Sequence, residues 1–111
     1  MGDVAVLLHI VLMKRRPEVG GAEIEALREA VLGLGGLIPG IVAIDWGPNT
    51  SPEGLGQGYD LGFVVAFADA AARDAYLPHP DHRATVPSVH AVAESVLVYD
   101  LEVAGAPTGT V

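Results

Sequence analysis

Cysteine is absent from this 111-residue chain. That absence excludes disulfides, thiolate nucleophiles and thiolate metal sites, and it fits a reducing cytoplasm, where we expect the protein to reside. Basic residues are also scarce, with six Lys and Arg against fourteen Asp and Glu, so the formal net charge is −8. A field of that sign repels a phosphate backbone, and nucleic acid is therefore not an expected partner.

The chain also lacks a long apolar run. Its most apolar stretch, residues 4–13, is roughly half of the about 20 residues that a transmembrane helix needs. No positive charge precedes this stretch, and three basic residues follow it, which is the reverse of a signal peptide. We therefore interpret it as a buried strand and expect no membrane partner.

Apolar residues are nevertheless abundant. They make up 50% of the chain, and the mean hydropathy is +0.41. A chain of this length forms one domain, which we assign to residues 1–103, with a flexible C-terminal tail over 104–111. So much apolar surface is more than one small fold can bury, so a protein partner is expected.

The spacing of apolar residues predicts strands alternating with helices. Ile24, Leu27, Val31, Leu34 and Ile38 recur at intervals of three and four, which is typical of one apolar helix stripe. Asp69 is placed to cap a later helix, which Pro78 and Pro80 then interrupt. The predicted strands are 4–13, 41–46, 59–67 and 95–103; the predicted helices are 22–34, 70–77 and 80–93; a glycine-rich loop covers 47–58.

This β-α-β-β-α-β order predicts an α+β, ferredoxin-like fold, in which a four-stranded antiparallel sheet carries both helices on one face. Such strands should alternate between apolar and polar residues. Here residues 62–68 include no polar side chain, and residues 4–13 include His9 as their one polar residue before the basic cluster. Both sheet faces therefore need burial, and a second copy packed sheet to sheet would close a homodimeric α/β barrel.

One short segment concentrates the groups that could do chemistry near neutral pH. Tyr76, His79 and His82 place a phenol and two imidazoles within seven residues, in a segment that also contains Pro78 and Pro80. A helix beginning near Pro80 puts His82 in its first turn, where the helix dipole favours the neutral imidazole and thus a competent base. His79 is held extended by the following proline, so a structural role is as well supported as a chemical one.

Each of these groups also has an ordinary structural interpretation. His9 can be a core histidine bonded to backbone or tyrosine, or it can line a pocket. Tyr76 can pack on its own helix, and His82 can make a local hydrogen bond. A metal site at His79 and His82 is disfavoured, because Pro80 distorts the turn and no glutamate follows at a metalloprotease spacing. A third ligand would have to come from elsewhere in the chain, from His9 or Asp60. We expect no metal and no cofactor.

The order of several motifs resembles the stress-responsive α/β-barrel family, also called the dimeric A/B barrel or Dabb family. The motifs are His9 in the first strand, the Ile38-Pro39-Gly40 turn, Trp46-Gly47, and Tyr76 followed by His79-Pro80-Asp81-His82. The resemblance implies a homodimer with one small-molecule pocket in each subunit.

Within the family, the chain is similar to plant polyketide cyclases, and this similarity implies specific roles. His82 would be the catalytic base and Tyr76 its positioning or acid group. The substrate would contact His9, His79, Val31 and Trp46, although Val31 stands where such cyclases carry a second pocket tyrosine. The implied function is cofactor-independent cyclase or lyase chemistry on a polyketide-like or aromatic molecule. Two alternatives stay open, a non-catalytic stress-responsive barrel and a cofactor-free oxygenase of the related dimeric ferredoxin-like type.

Overall fold

A computed structural model describes residues 6–104 of the chain. Its strands are β1 (Val6–Arg15), β2 (Ile41–Pro48), β3 (Leu61–Phe67) and β4 (Ala93–Val103). Its α-helices are α1 (Gly21–Gly33), α2 (Ala70–Tyr76) and α3 (Pro80–Val92), and a 3-10 turn over Leu34–Gly36 follows α1. The start of the predicted first strand, residues 4 and 5, and residues 105–111 of the predicted tail lie outside the described residues.

The four strands form one sheet in the order β2-β3-β1-β4. Every neighbouring pair in this sheet is antiparallel. The predicted α+β, ferredoxin-like architecture is therefore confirmed. Within the described part of the chain, no helix is long and apolar enough to cross a membrane.

One face of the sheet is buried beneath the helices. In β1 the buried side chains alternate with half-buried ones, and Leu7, His9, Val11 and Met13 all point toward the helices. The apolar stripe on α1 meets them, since Leu27 and Val31 join the same core, as does Tyr76 from the end of α2. The helices therefore cover His9 and place it in the core beside Tyr76.

The start of α2 is fixed by two local features. The Asp69 carboxylate accepts a hydrogen bond from the backbone N–H of Ala72 at 2.9 Å, which confirms the predicted cap. Gly40, in the turn before β2, has a φ of +93°. A Cβ at that position would stand 2.7 Å from the Cβ of Ala72, so glycine is required there for both conformation and space. Together these contacts set the position of the helix that carries Tyr76.

The opposite face of the sheet is apolar and has no helix over it in residues 6–104. We call it the open face, and it consists of Leu8, Ile10, Leu12, Val64, Leu97, Tyr99 and Leu101. The register places Ile10 opposite Tyr99 and Leu8 opposite Leu101. Tyr99 is 58% exposed and Leu101 is 41% exposed. The single chain therefore leaves large apolar side chains in contact with water.

Candidate active site

A cavity of about 310 Å³ lies between the sheet and the helices. Side chains from all three α-helices and three strands line it. The polar part of the lining comes from His9, Tyr76, His82, Thr85, His90 and Asp100, and most of the rest comes from valines such as Val31. An apolar pocket with a few converging polar groups is the usual form of a small-molecule site.

Tyr76 and His82 both line this cavity and are in contact with each other. Their ring centroids lie 4.2 Å apart, and the ring planes are tilted by 40°. His82 lies in the first turn of α3, as predicted, and its Nδ1 is 2.8 Å from the carbonyl oxygen of Leu77. Because a carbonyl only accepts hydrogen bonds, Nδ1 carries the proton and Nε2 keeps its lone pair. In this tautomer the His82 imidazole can accept a proton at Nε2.

Burial sets the protonation of both groups. Desolvation lowers the pKa of His82; the hydrogen bond to Leu77 opposes that shift, whereas the charges of His9 and His79 add to it. Desolvation also raises the pKa of Tyr76 to about 12. Near neutral pH the site therefore offers a neutral imidazole that can accept a proton, beside a phenol that can donate a hydrogen bond.

His9 packs edge-on against Tyr76 in the cavity lining, with ring centroids 5.8 Å apart, and it has a partner that the sequence did not indicate. The register of β1 and β4 sets His9 opposite Asp100, and His9 Nδ1 is 2.7 Å from Asp100 Oδ1. The second oxygen of that carboxylate, Oδ2, accepts a hydrogen bond from Arg73 Nη1 at 2.8 Å. His9 is therefore both hydrogen-bonded and part of the cavity lining, with a carboxylate as its partner rather than backbone or tyrosine.

Asp100 is held in its ionised form. Its partial burial raises its pKa, but the hydrogen bonds from Arg73 and His9 outweigh burial, and the net pKa is lowered. An ionised carboxylate only accepts, so His9 Nδ1 must be the donor in the His9–Asp100 bond. Sequence reasoning missed Asp100 and Arg73; the signal that could have found Asp100 is an acidic residue in the strand that pairs with the strand of His9.

His79 is a helix cap in this structure. Its backbone is extended, as expected before proline, and its Nδ1 accepts a hydrogen bond from the backbone N–H of Asp81 at 3.1 Å. His79 is not among the residues that line the 310 Å³ cavity. The substrate contact that the family resemblance implied for His79 thus has no counterpart in this cavity.

Trp46 does not line the histidine cavity, although its neighbour Phe63 lines both that cavity and a second one. It stacks on Phe63, with ring centroids 5.8 Å apart and planes within 5° of parallel. It lines a second, more open cavity of about 740 Å³ together with the glycine-rich loop and Tyr59. Val31, in contrast, lies in the histidine cavity, so the structure separates two residues that the resemblance had placed in one site.

The histidines of the described residues are not arranged as a metal centre. Among residues 6–104, no group of three or more His, Asp or Glu side chains is placed to hold a metal ion. His79 and His82 each use Nδ1 for a bond to backbone. His90, which lines the cavity through α3, lies in an exposed position near the end of that helix.

The chain is similar to known proteins over most of its length. Residues 7–103 match the family model described as the stress responsive A/B barrel domain, Dabb. A stress-response A/B barrel domain-containing protein, HS1 of Arabidopsis thaliana, is 34% identical over 74 residues, which cover 67% of this chain and 68% of that protein. Olivetolic acid cyclase of Cannabis sativa is 23% identical over 92 residues, which cover 83% of this chain and 91% of the cyclase.

A solved structure shares the same architecture at similar identity. It is a dimeric ferredoxin-like protein of unknown function from Jannaschia sp. CCS1, with a TM-score of 0.80 and 32% sequence identity. The match covers 88% of this chain and 99% of that one.

Proposed function

The chain belongs to the stress-responsive A/B barrel domain family, and from that premise we propose that it is a homodimeric barrel with cofactor-independent acid/base activity of the cyclase or lyase type. The substrate would be a small polyketide-like or aromatic molecule. The observation that carries this proposal is the pairing of the Tyr76 phenol with a His82 ring whose Nε2 is unprotonated, beside a cavity of about 310 Å³.

His82 would begin the reaction as a general base. Its Nε2 takes a proton from a carbon next to a carbonyl group, and the electron pair of the broken C–H bond moves onto the carbonyl oxygen to form an enolate. Tyr76 donates a hydrogen bond to that oxygen, where negative charge develops. The high pKa of Tyr76 supports this role, because the phenol keeps its proton throughout the neutral range.

Ring closure would then return the proton. The enolate carbon attacks a second carbonyl carbon of the same molecule, a C–C bond forms, and the second carbonyl oxygen becomes an alkoxide. The His82 imidazolium transfers its proton to this alkoxide and becomes neutral again. Atoms and charges balance over the cycle without a metal or an organic cofactor.

The lining of the cavity supports the substrate class. The lining combines the polar side chains of His9, Tyr76 and His82 with valines from α1, α3 and β4, so the cavity suits a ligand that carries both oxygen atoms and apolar surface. A volume of about 310 Å³ is at the lower end of the range for small-molecule sites. The similarity to olivetolic acid cyclase agrees with a cyclase, and Val31 adds apolar surface to the site.

The open face supports the homodimer. Its apolar side chains gain roughly 25 cal/mol for each Å² removed from water, and an identical face on a second copy can cover them sheet to sheet. The related Jannaschia protein is described as dimeric. The histidine cavity lies on the other side of the sheet, so each subunit would keep its own site.

The experiment that tests the function uses a linear poly-β-ketone with an alkyl or aryl end. Formation of cyclised product is followed by chromatography and mass spectrometry for the wild type, His82→Ala and Glu53→Gln. Glu53 lies in the exposed loop outside the cavity, so its variant is the matched control. We expect the wild type and Glu53→Gln to cyclise the compound above the rate in buffer, and His82→Ala to fall to that rate.

Equal product from wild type and folded His82→Ala would refute the role of His82. No acceleration by the wild type over a series of chain lengths and end groups would favour the non-catalytic barrel.

A further inference from the structure

The second histidine of the cavity is fixed by a chain of charged groups. Arg73 in α2 donates to one oxygen of Asp100, and the other oxygen of Asp100 accepts from His9 Nδ1, at 2.8 and 2.7 Å. Three elements, α2, β4 and β1, therefore meet in one hydrogen-bonded series. Since both carboxylate oxygens are occupied, Asp100 has little freedom to rotate away from His9.

The other nitrogen of the His9 ring, Nε2, makes no hydrogen bond to residues 6–104. Among residues 6–104, no buried side-chain nitrogen or oxygen lacks a hydrogen-bond partner. The His9 side chain is only 7% exposed, so most of its surface is in contact with other residues. His9 lines the cavity of about 310 Å³, and Nε2 is its ring nitrogen that is not already bonded to Asp100.

We propose that Asp100 and Arg73 are positioning residues that lock His9 in the Nδ1-protonated tautomer, so that Nε2 accepts a hydrogen bond from a ligand hydroxyl group. The inference rests on the proposed function only in taking the cavity as the ligand site. It adds a rule for ligand recognition. A lone pair at His9 Nε2 selects enol or phenol hydroxyl groups and disfavours ligand groups that can only accept a hydrogen bond. His9 is thus a specificity determinant, distinct from the proposed base His82.

The role of Arg73 follows from its two ion pairs. Its Nη1 bonds to Asp100, and its Nε bonds to the exposed Asp74 at 2.9 Å. Only Asp100 continues to His9. If Arg73 acts through Asp100, removal of the Asp74 partner should leave His9 unchanged, and this provides a matched control on the same guanidinium.

The first test reads the tautomer directly and needs no ligand. Long-range ¹H–¹⁵N spectra of histidine-labelled protein, recorded at a pH where the imidazoles are neutral, distinguish Nδ1–H from Nε2–H. We expect wild-type His9 to be Nδ1–H. In Asp100→Asn the side-chain amide can donate to Nδ1, and His9 should shift to Nε2–H. Arg73→Gln should give a mixture, Arg73→Lys should restore most of the wild-type signal, and Asp74→Asn should match the wild type.

The second test measures ligand discrimination. Titration with 4-propylphenol and its methyl ether should show that the wild type and Asp74→Asn bind the phenol on the order of tenfold more tightly, because the ether cannot donate to Nε2. Asp100→Asn should reduce that ratio to near unity.

A wild-type His9 in the Nε2–H form, or a discrimination ratio that Asp100→Asn leaves unchanged, would overturn the proposal. The wild-type spectrum decides the tautomer even if Asp100→Asn fails to fold, and Arg73→Gln then replaces it in the titration. Both readouts are independent of turnover, so a protein that passes them and cyclises nothing would contradict the proposed function alone.

Discussion

The rings of Tyr76 and His82 pack against each other at a centroid distance of 4.2 Å, although the two residues belong to different helices. In one continuous α-helix, side chains with this separation in sequence would point in directions about 120° apart. The break between α2 and α3 removes that constraint, because Pro78 and Pro80 end one helix and begin the next. The interruption of the helix is thus what brings the phenol to the imidazole.

The pairing of these rings predicts distinct kinetic effects for two variants. His82→Ala should lower kcat for the poly-β-ketone by about 10²- to 10⁴-fold, since it removes the proposed general base. Tyr76→Phe keeps the ring that packs on Phe67 and removes the hydroxyl. It should lower kcat more than it raises KM, because that hydroxyl acts mainly where charge develops. Steady-state kinetics with both folded variants checks this, and a change in KM alone for Tyr76→Phe would assign it to binding.

The lowered pKa of His82 predicts the pH dependence of activity. The base must be neutral, so log kcat/KM should rise with pH through a midpoint below the ordinary value of 6.5 and then stay level. The phenol should impose no limit until the pH approaches its pKa of about 12. A profile with its acidic midpoint above 6.5 would contradict the assignment of His82 as a desolvated base.

The same pKa predicts a stability effect with a definite sign. The unfolded chain binds a proton at His82 near pH 6.5, whereas the folded protein binds it only at lower pH. The free energy of unfolding should therefore decrease as the pH falls from 6.5 toward the folded pKa, and this contribution should then level off. Urea denaturation of the wild type and His82→Gln over that range measures it, and the variant should show a smaller slope.

Much of the fold followed from local patterns. The order of strands and helices was predicted from the spacing of apolar residues and from the positions of glycine and proline. The helix cap was predicted from a single aspartate, Asp69, just before the helix. The placement of His82 in the first turn of α3 needed only Pro80. These features depend on neighbours in sequence, so the sequence alone could specify them.

The contacts between distant strands could not be obtained in the same way. His9 and Asp100 are 91 residues apart, and their bond depends on the register of β1 against β4. Both faces of β1 are apolar, so the sequence pattern does not distinguish the residues that meet the helices from those on the opposite face of the sheet. Val11 is buried beneath the helices, and its neighbour Ile10 belongs to the open face.

The capping contact of His79 predicts a stability effect without a catalytic one. His79→Ala removes the acceptor for the Asp81 N–H and should lower the free energy of unfolding by about 0.5 to 2 kcal/mol. His79→Asn keeps a side-chain acceptor at the cap and should be near the wild type. Thermal and urea unfolding measure both variants. Equal destabilisation by the two would mean that the histidine contributes through packing and not through its capping bond.

The proposed dimer interface at the open face predicts a substitution that dissociates the dimer without unfolding its subunits. Tyr99 is 58% exposed in the protomer and lies opposite Ile10, so Tyr99→Asp should cost the protomer little but place a charge in a sheet-to-sheet interface. Leu37→Asp is the matched control, because Leu37 is 60% exposed but lies in the turn after α1, away from the open face. Light scattering should give a dimer for the wild type and Leu37→Asp, and a folded monomer of 11.4 kDa for Tyr99→Asp. A monomeric wild type would refute the homodimer. A dimeric Tyr99→Asp variant would place the interface on another surface, because a pair of carboxylates buried at a two-fold contact is costly enough to dissociate the dimer.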